Sequence, residues 1–171
     1  MTDKPYPILF SEPMVRALIM GEKTQTRRLV SSPLAKLEAG RKLAVREAWR
    51  SPVILDQKRP VDLAEKMPRE SVYYEASPNE DPAQGLPRAQ AGRLRAAMHM
   101  PLAFSRLTLT LTGVREQRLL DLTTRDALAE GIIGRAGLYA HVGAWRFEDG
   151  EAKLVAPEFA SEDPYEAFGK L

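Results

Sequence analysis

Residues 6–28 read Tyr-Pro-Ile-Leu-Phe-Ser-Glu-Pro-Met-Val-Arg-Ala-Leu-Ile-Met-Gly-Glu-Lys-Thr-Gln-Thr-Arg-Arg, and three kinds of local structure succeed one another in them. Tyr6 to Phe10 is a short apolar run. Pro13, after Ser11 and Glu12, suits the first position of a helix, where no amide donor is needed. Met14, Val15, Leu18 and Ile19 then recur at helical spacing. Gly21 stands where a left-handed residue closes a helix at little cost. The helix therefore delivers Lys23 at its exit. From Lys23 to Val30 the Thr-Gln-Thr-Arg pattern has poor helix propensity and suits extended chain. Lys23, Gln25 and Arg27 then share one face, and Thr24, Thr26 and Arg28 the other.

The chemistry of this stretch is that of an anion-reading surface. Lys23, Arg27 and Arg28 bring charge, Thr24, Gln25 and Thr26 bring short hydrogen-bonding groups, and only Glu22 opposes them. Phosphate or a polar base suits such a set. A basic run behind a helix also serves simply as a solvated face that offsets the helix dipole, and a charge run alone does not decide between the two. Lys23 is an anchor for phosphate, or a base if burial lowers its proton affinity. The Thr26 hydroxyl becomes a nucleophile only beside an activating base; otherwise it bonds backbone.

Working outward, Leu43 and Val45 alternate with Lys42, Ala44 and Arg46, which predicts a half-buried strand ending near Glu47 and Trp49. Val72 to Glu75 predicts another short strand. Pro52, Pro60 and Pro68 break the segment between them, with one helical turn over Val61 to Lys66. About residues 77–92 a stretch holding Pro78, Pro82, Gly85, Pro87 and Gly92 predicts a long exposed insertion, either a flap or passive surface. Leu107, Leu109 and Leu111 alternate with Thr108, Thr110 and Thr112, a strand with one core face and one hydroxyl face. Thr123 or Thr124 caps a helix through Ala127, Leu128 and Glu130 that Gly131 ends. Asp149-Gly150 between Trp145–Phe147 and Ala152–Val155 signals a hairpin, and Asp163-Pro164-Tyr165-Glu166 a helix start.

Composition narrows the function classes. A chain of 171 residues is expected to form a single domain over 1–171. A net charge of only +2 requires that any nucleic-acid site come from local clustering. The absence of cysteine excludes disulfides, thiolate metal sites and cysteine nucleophiles. His99 and His141 have no carboxylate cluster at ligand spacing, so no intrinsic metal and no cofactor are expected. His99, between Met98 and Met100, reads as a buried structural histidine; His141 falls in a glycine-rich loop. No apolar run has the length of a signal peptide or a membrane span, so a cytoplasmic location and no membrane partner are expected. Arg46 is a further phosphate contact, and Glu47 either pairs with a cation or acts in acid–base chemistry. Trp49 and Tyr74 are candidates for stacking on an unpaired base, with core packing the commoner fate of a lone tryptophan.

Tyr6 to Arg28 resembles the opening of the ASCH-domain proteins of phages and prophages, which belong to the PUA-like superfamily. Val45-Arg46-Glu47-Ala48-Trp49 is similar to that group's Val-Arg-Glu-Thr-Trp segment. Met98-His99-Met100-Pro101 with Ser105-Arg106, and Leu119 to Ile132, resemble further stretches in the same order. The resemblance implies an α+β chain with a small mixed β-barrel and flanking helices, associated with RNA binding and in some members with nucleoside chemistry. Its expected ligand is RNA, another single-stranded nucleic acid or a nucleotide, held by Lys23, Thr24, Arg27, Arg28, Arg46, Trp49 and Tyr74. Members similar to the bacterial N4-acetylcytidine amidohydrolases use a lysine and a threonine that map onto Lys23 and Thr26. Their glutamate falls on Thr110 here, which leaves Glu47 as the nearby motif carboxylate for a hydrolase acting on a nucleoside or RNA. The family pattern also runs past the Asp-Pro-x-Glu-Ala-Phe helix start, so a shorter C-terminus and an open sheet edge, fit for a host protein or a second copy, are expected.

Overall fold

The computed structural model describes residues 4–77, 88–135, 138–141, 145–148 and 151–154, with short strands and helices in an α+β arrangement. They group into a first unit of Met1–Glu12 and Glu38–Gly113 and a second of Pro13–Leu37 and Val114–Leu171. The strands form one three-stranded and three two-stranded sheets, with no closed barrel among the described residues.

In the first unit, β1 (Tyr6–Leu9) runs parallel to β2 (Lys42–Arg46), which pairs on its other side antiparallel with β5 (Thr108–Thr110). Leu43, Ala44 and Val45 are all buried. The expectation of a half-buried alternating strand is therefore corrected: β2 is the central strand and is covered on both faces, where small and branched apolar residues suit every position. β5 keeps the predicted alternation, with Leu109 half-buried and Thr108 and Thr110 exposed. The two-residue strands β3 (Trp49–Arg50) and β4 (Tyr73–Tyr74) pair antiparallel and place Trp49 opposite Tyr74. α2 (Pro60–Lys66) adds Leu63 to a core of Trp49, Met67, Val72, Tyr74, Met100 and Phe104. The Trp49 and Phe104 rings meet edge to face at 5.3 Å, and the Tyr74 hydroxyl donates to the Phe104 carbonyl at 2.6 Å. His99 is exposed, not buried, because it ends a single 3-10 turn, Ala97–His99, whose neighbour Met100 takes the core position. The predicted insertion falls largely on residues 78–87, outside the described residues; its far end docks through an Ala91–Pro52 bridge and the Gly92 amide on the Ser51 carbonyl.

In the second unit, α1 (Glu12–Ile19) buries Val15 and Ala17. Pro13 takes the second helical position, one later than expected. Ile19 is half exposed; it lies in the last turn, where the chain is already leaving the helix. That exit is a Schellman motif: the Glu22 amide donates to the Ala17 carbonyl and the Gly21 amide to the Leu18 carbonyl. Gly21 supplies the required left-handed turn at φ 76°. α3 (Thr124–Ala129) starts from a capping box in which Thr123 and Asp126 hydrogen-bond reciprocally. Gly131, at φ 97°, turns the chain into β6 (Ile132–Arg135), which pairs with β7 (Leu138–His141). His141 is thus the last residue of a strand, not a loop residue. β8 (Trp145–Glu148) and β9 (Glu151–Leu154) form the expected hairpin with Glu148 opposite Glu151; Asp149 and Gly150 lie outside the described residues. So do the helix start at Asp163 and the C-terminal segment.

Candidate nucleic-acid interface

The basic segment that follows α1 caps the C-terminus of α3. The last carbonyls of a helix have no intrahelical partner, and here the neighbouring chain supplies donors. The Thr24 and Gln25 amides donate to the Ala129 carbonyl at 2.8 and 3.0 Å. The Gln25 carboxamide reaches the Asp126 carbonyl at 2.9 Å, and the Lys23 ammonium reaches the Glu130 carbonyl at 2.8 Å. A cation is favoured at that end of a helix. The dipole-offsetting role expected of the run is thus exercised on α3, a helix remote in sequence, rather than on α1.

Lys23 is buried, and its ammonium also donates to Glu130 Oε2 at 2.6 Å. Burial lowers its pKa below the ordinary lysine value, the Glu130 carboxylate opposes that shift, and Arg28 and Arg27 reinforce it. Lys23 therefore lies beneath the surface, not on it as a phosphate anchor. Arg27, half-buried, sits 3.3 Å from Glu130 Oε1, 3.4 Å from Asp126 Oδ1 and 3.2 Å from Gln117 Oε1. Arg28 is exposed and donates to the Thr26 hydroxyl at 3.2 Å and to the Arg27 carbonyl at 2.8 Å. Thr24 is exposed, and its amide is held by α3.

Asp126 is the hub of this network. Its Oδ2 accepts from the Thr123 amide and hydroxyl at 3.1 and 2.7 Å and from the Gln117 carboxamide at 3.4 Å. Its Oδ1 accepts from Arg115 at 2.5 Å and Gln25 at 3.2 Å. These bonds, with the Thr123 hydroxyl foremost and Gln25 next, hold its carboxyl well below the usual carboxylate range. Gln25 and Arg27 thus meet Arg115 and Gln117 around Asp126, each pair two residues apart in sequence.

The other predicted site residues belong to the first unit and have partners there. Glu47 is buried and takes a bidentate grip from Arg106, with Nε and Nη2 both at 2.9 Å. Arg106 also donates to Ser77 Oγ at 2.8 Å and lies 4.2 Å over the Tyr74 ring. The carboxylate read as a candidate acid–base group thus has both of its oxygens engaged by one guanidinium, a buried pair of structural kind. The Arg46 guanidinium donates to the Met98 carbonyl. Trp49 and Tyr74 are fully buried, so the expectation that either stacks on a base is also corrected: both were needed to fill the core. Thr110 is exposed opposite Lys42.

Sequence reasoning missed Glu130, Asp126 and Arg115 as members of the site. One signal was available: Glu130 follows α3, where the dipole disfavours an acid and a neighbouring cation offsets that cost. Among the described residues no three histidine, aspartate or glutamate side chains gather as a metal site requires, and no helix is long and apolar enough to cross a membrane. Compared with known protein families, curated proteins and solved structures, the chain matches none.

Proposed function

We propose that this chain is an ASCH-type domain of the PUA-like superfamily that binds single-stranded RNA through the segment from Lys23 to Arg28. The carrying observation is the state of Arg27. Its guanidinium is shared among Glu130, Asp126 and Gln117 at 3.2 to 3.4 Å, all longer than the about 2.7 to 2.9 Å of a well-made charge-assisted bond. A phosphodiester offers oxygens at that shorter distance. Arg28 adds an exposed cation, and the Thr26 hydroxyl and Gln25 carboxamide are groups able to bond a ribose hydroxyl. Lys23 and Glu130 form the buried base of the site. The finer fold, a PUA-like barrel, belongs to the same proposal; the mixed parallel and antiparallel pairing of β1, β2 and β5 supports it.

The test is fluorescence anisotropy with a labelled single-stranded RNA of mixed sequence across about 50 to 200 mM salt. Affinity should fall steeply with salt and exceed that for the DNA of the same sequence. An Arg27→Ala, Arg28→Ala double variant should flatten the salt slope by about 1.4, at roughly 0.7 per phosphate contact. Salt-independent or absent binding contradicts the reading.

The buried Lys23–Glu130 pair favours a second reading, hydrolysis of an acylated nucleoside with Glu130 as the carboxylate that Thr110 lacks. Turnover of N4-acetylcytidine that disappears in Lys23→Met would favour it over binding alone.

A further inference from the structure

We infer that Arg115 is a second phosphate-contacting residue, which closes with Arg27 as a clamp on one RNA phosphodiester, and that Asp126 positions the two guanidiniums. The inference rests on the RNA-binding reading. Arg115 is outside the basic run, 88 positions from Arg27 in sequence, yet both arginines converge on Asp126 Oδ1, at 2.5 Å for Arg115 and 3.4 Å for Arg27. A carboxylate offers about four acceptor directions. Thr123 takes part of that capacity with its amide and hydroxyl as the cap of α3, and Gln25, Gln117, Arg27 and Arg115 compete for the remainder. Donors therefore exceed acceptors around this one anion.

The two guanidiniums differ in what they retain. Arg115 is anchored through one terminal nitrogen while its side chain stays 65 % exposed, so the rest of its fork faces solvent with a fixed root. Arg27 is 27 % exposed and has only long contacts. A tetrahedral phosphate placed over the pair accepts from both, while Asp126 stays bonded to Thr123. Gln25 and Gln117, each two residues from an arginine, bond the same Asp126 carboxylate at Oδ1 and Oδ2.

The experiment compares Arg115→Ala, Arg115→Lys and Arg59→Ala with the full wild-type chain, by RNA anisotropy against salt. Arg59 is an exposed arginine of the first unit paired with Asp62, and its replacement controls for lost net charge. Arg115→Ala should weaken binding roughly tenfold and reduce the salt slope by about 0.7. Arg115→Lys, which keeps the charge and loses the planar fork, should retain the slope and still weaken binding. If wild type binds and Arg115→Ala matches Arg59→Ala in both measures, the clamp is refuted and the RNA-binding reading survives. If wild type does not bind, both fall. Should Arg115→Ala fail to fold, Arg115→Gln, which keeps a donor to Asp126, takes its place under the same criteria.

Discussion

Lys23 owes its position to two turns. The Schellman exit of α1 places its amide on the Ala17 carbonyl, and Gly131 lets α3 end close beside it. A β-carbon at Gly131 would lie 2.9 Å from the Ala17 methyl and 3.3 Å from Lys23 Cβ, on a backbone at φ 97°. The Ala17 methyl has no rotamer with which to yield. Gly131→Ala should therefore lower stability by about 1 to 3 kcal/mol, measured by urea unfolding; a neutral effect would contradict the close approach. Lys23→Met should cost about 3 to 5 kcal/mol, because it breaks the closest contact of the buried Glu130 carboxylate and leaves it only Arg27 at 3.3 Å among the described residues. A Lys23→Met, Glu130→Leu double variant should recover part of that loss. The charge of Lys23 was readable in the sequence, but its burial was not. Spacing shows which residues share a face of one segment, whereas Glu130 is 107 positions away.

At the scale of elements, helix ends were the most legible features, because capping depends on a few adjacent residues. Gly21, Gly131 and the Thr123–Asp126 box all fall where turn chemistry places them. Thr123→Ala should cost about 1 kcal/mol through loss of the cap. Asp126 adds a pH dependence of definite sign. Its folded pKa is depressed, so its contribution is complete above the ordinary value of 3.8 and is lost as pH falls below that value toward the lower folded one. Asp126→Asn should flatten the acid limb of the stability curve, and an unchanged limb would contradict the network. The strands were less legible. Alternation gave β5 correctly, yet the same pattern over β2 hid a central strand, since Ala44 is small enough to be buried on the face that looked polar.

Across the whole chain, the motif stretches of the sequence have separate physical purposes. In the first unit, Arg46 binds the Met98 carbonyl and Glu47 binds Arg106, so motifs 52 and 59 residues apart are joined by hydrogen bonds. Glu47→Ala should destabilise by about 3 to 5 kcal/mol, and conditions that keep it folded should leave RNA affinity unaltered. In the second unit, the run from Lys23 to Arg28 meets Asp126 and Glu130 of the Leu119 to Ile132 stretch. The proposed RNA-binding function assigns the RNA-facing role to this second network. Its decisive measurement is the mapping of backbone amide chemical shifts during titration with single-stranded RNA. The largest changes are expected at Thr24 to Arg28 and Arg115 to Gln117, with Glu47 to Trp49 unmoved. Changes centred on Glu47, Trp49 and Tyr74, with the Lys23 to Arg28 segment silent, would contradict it.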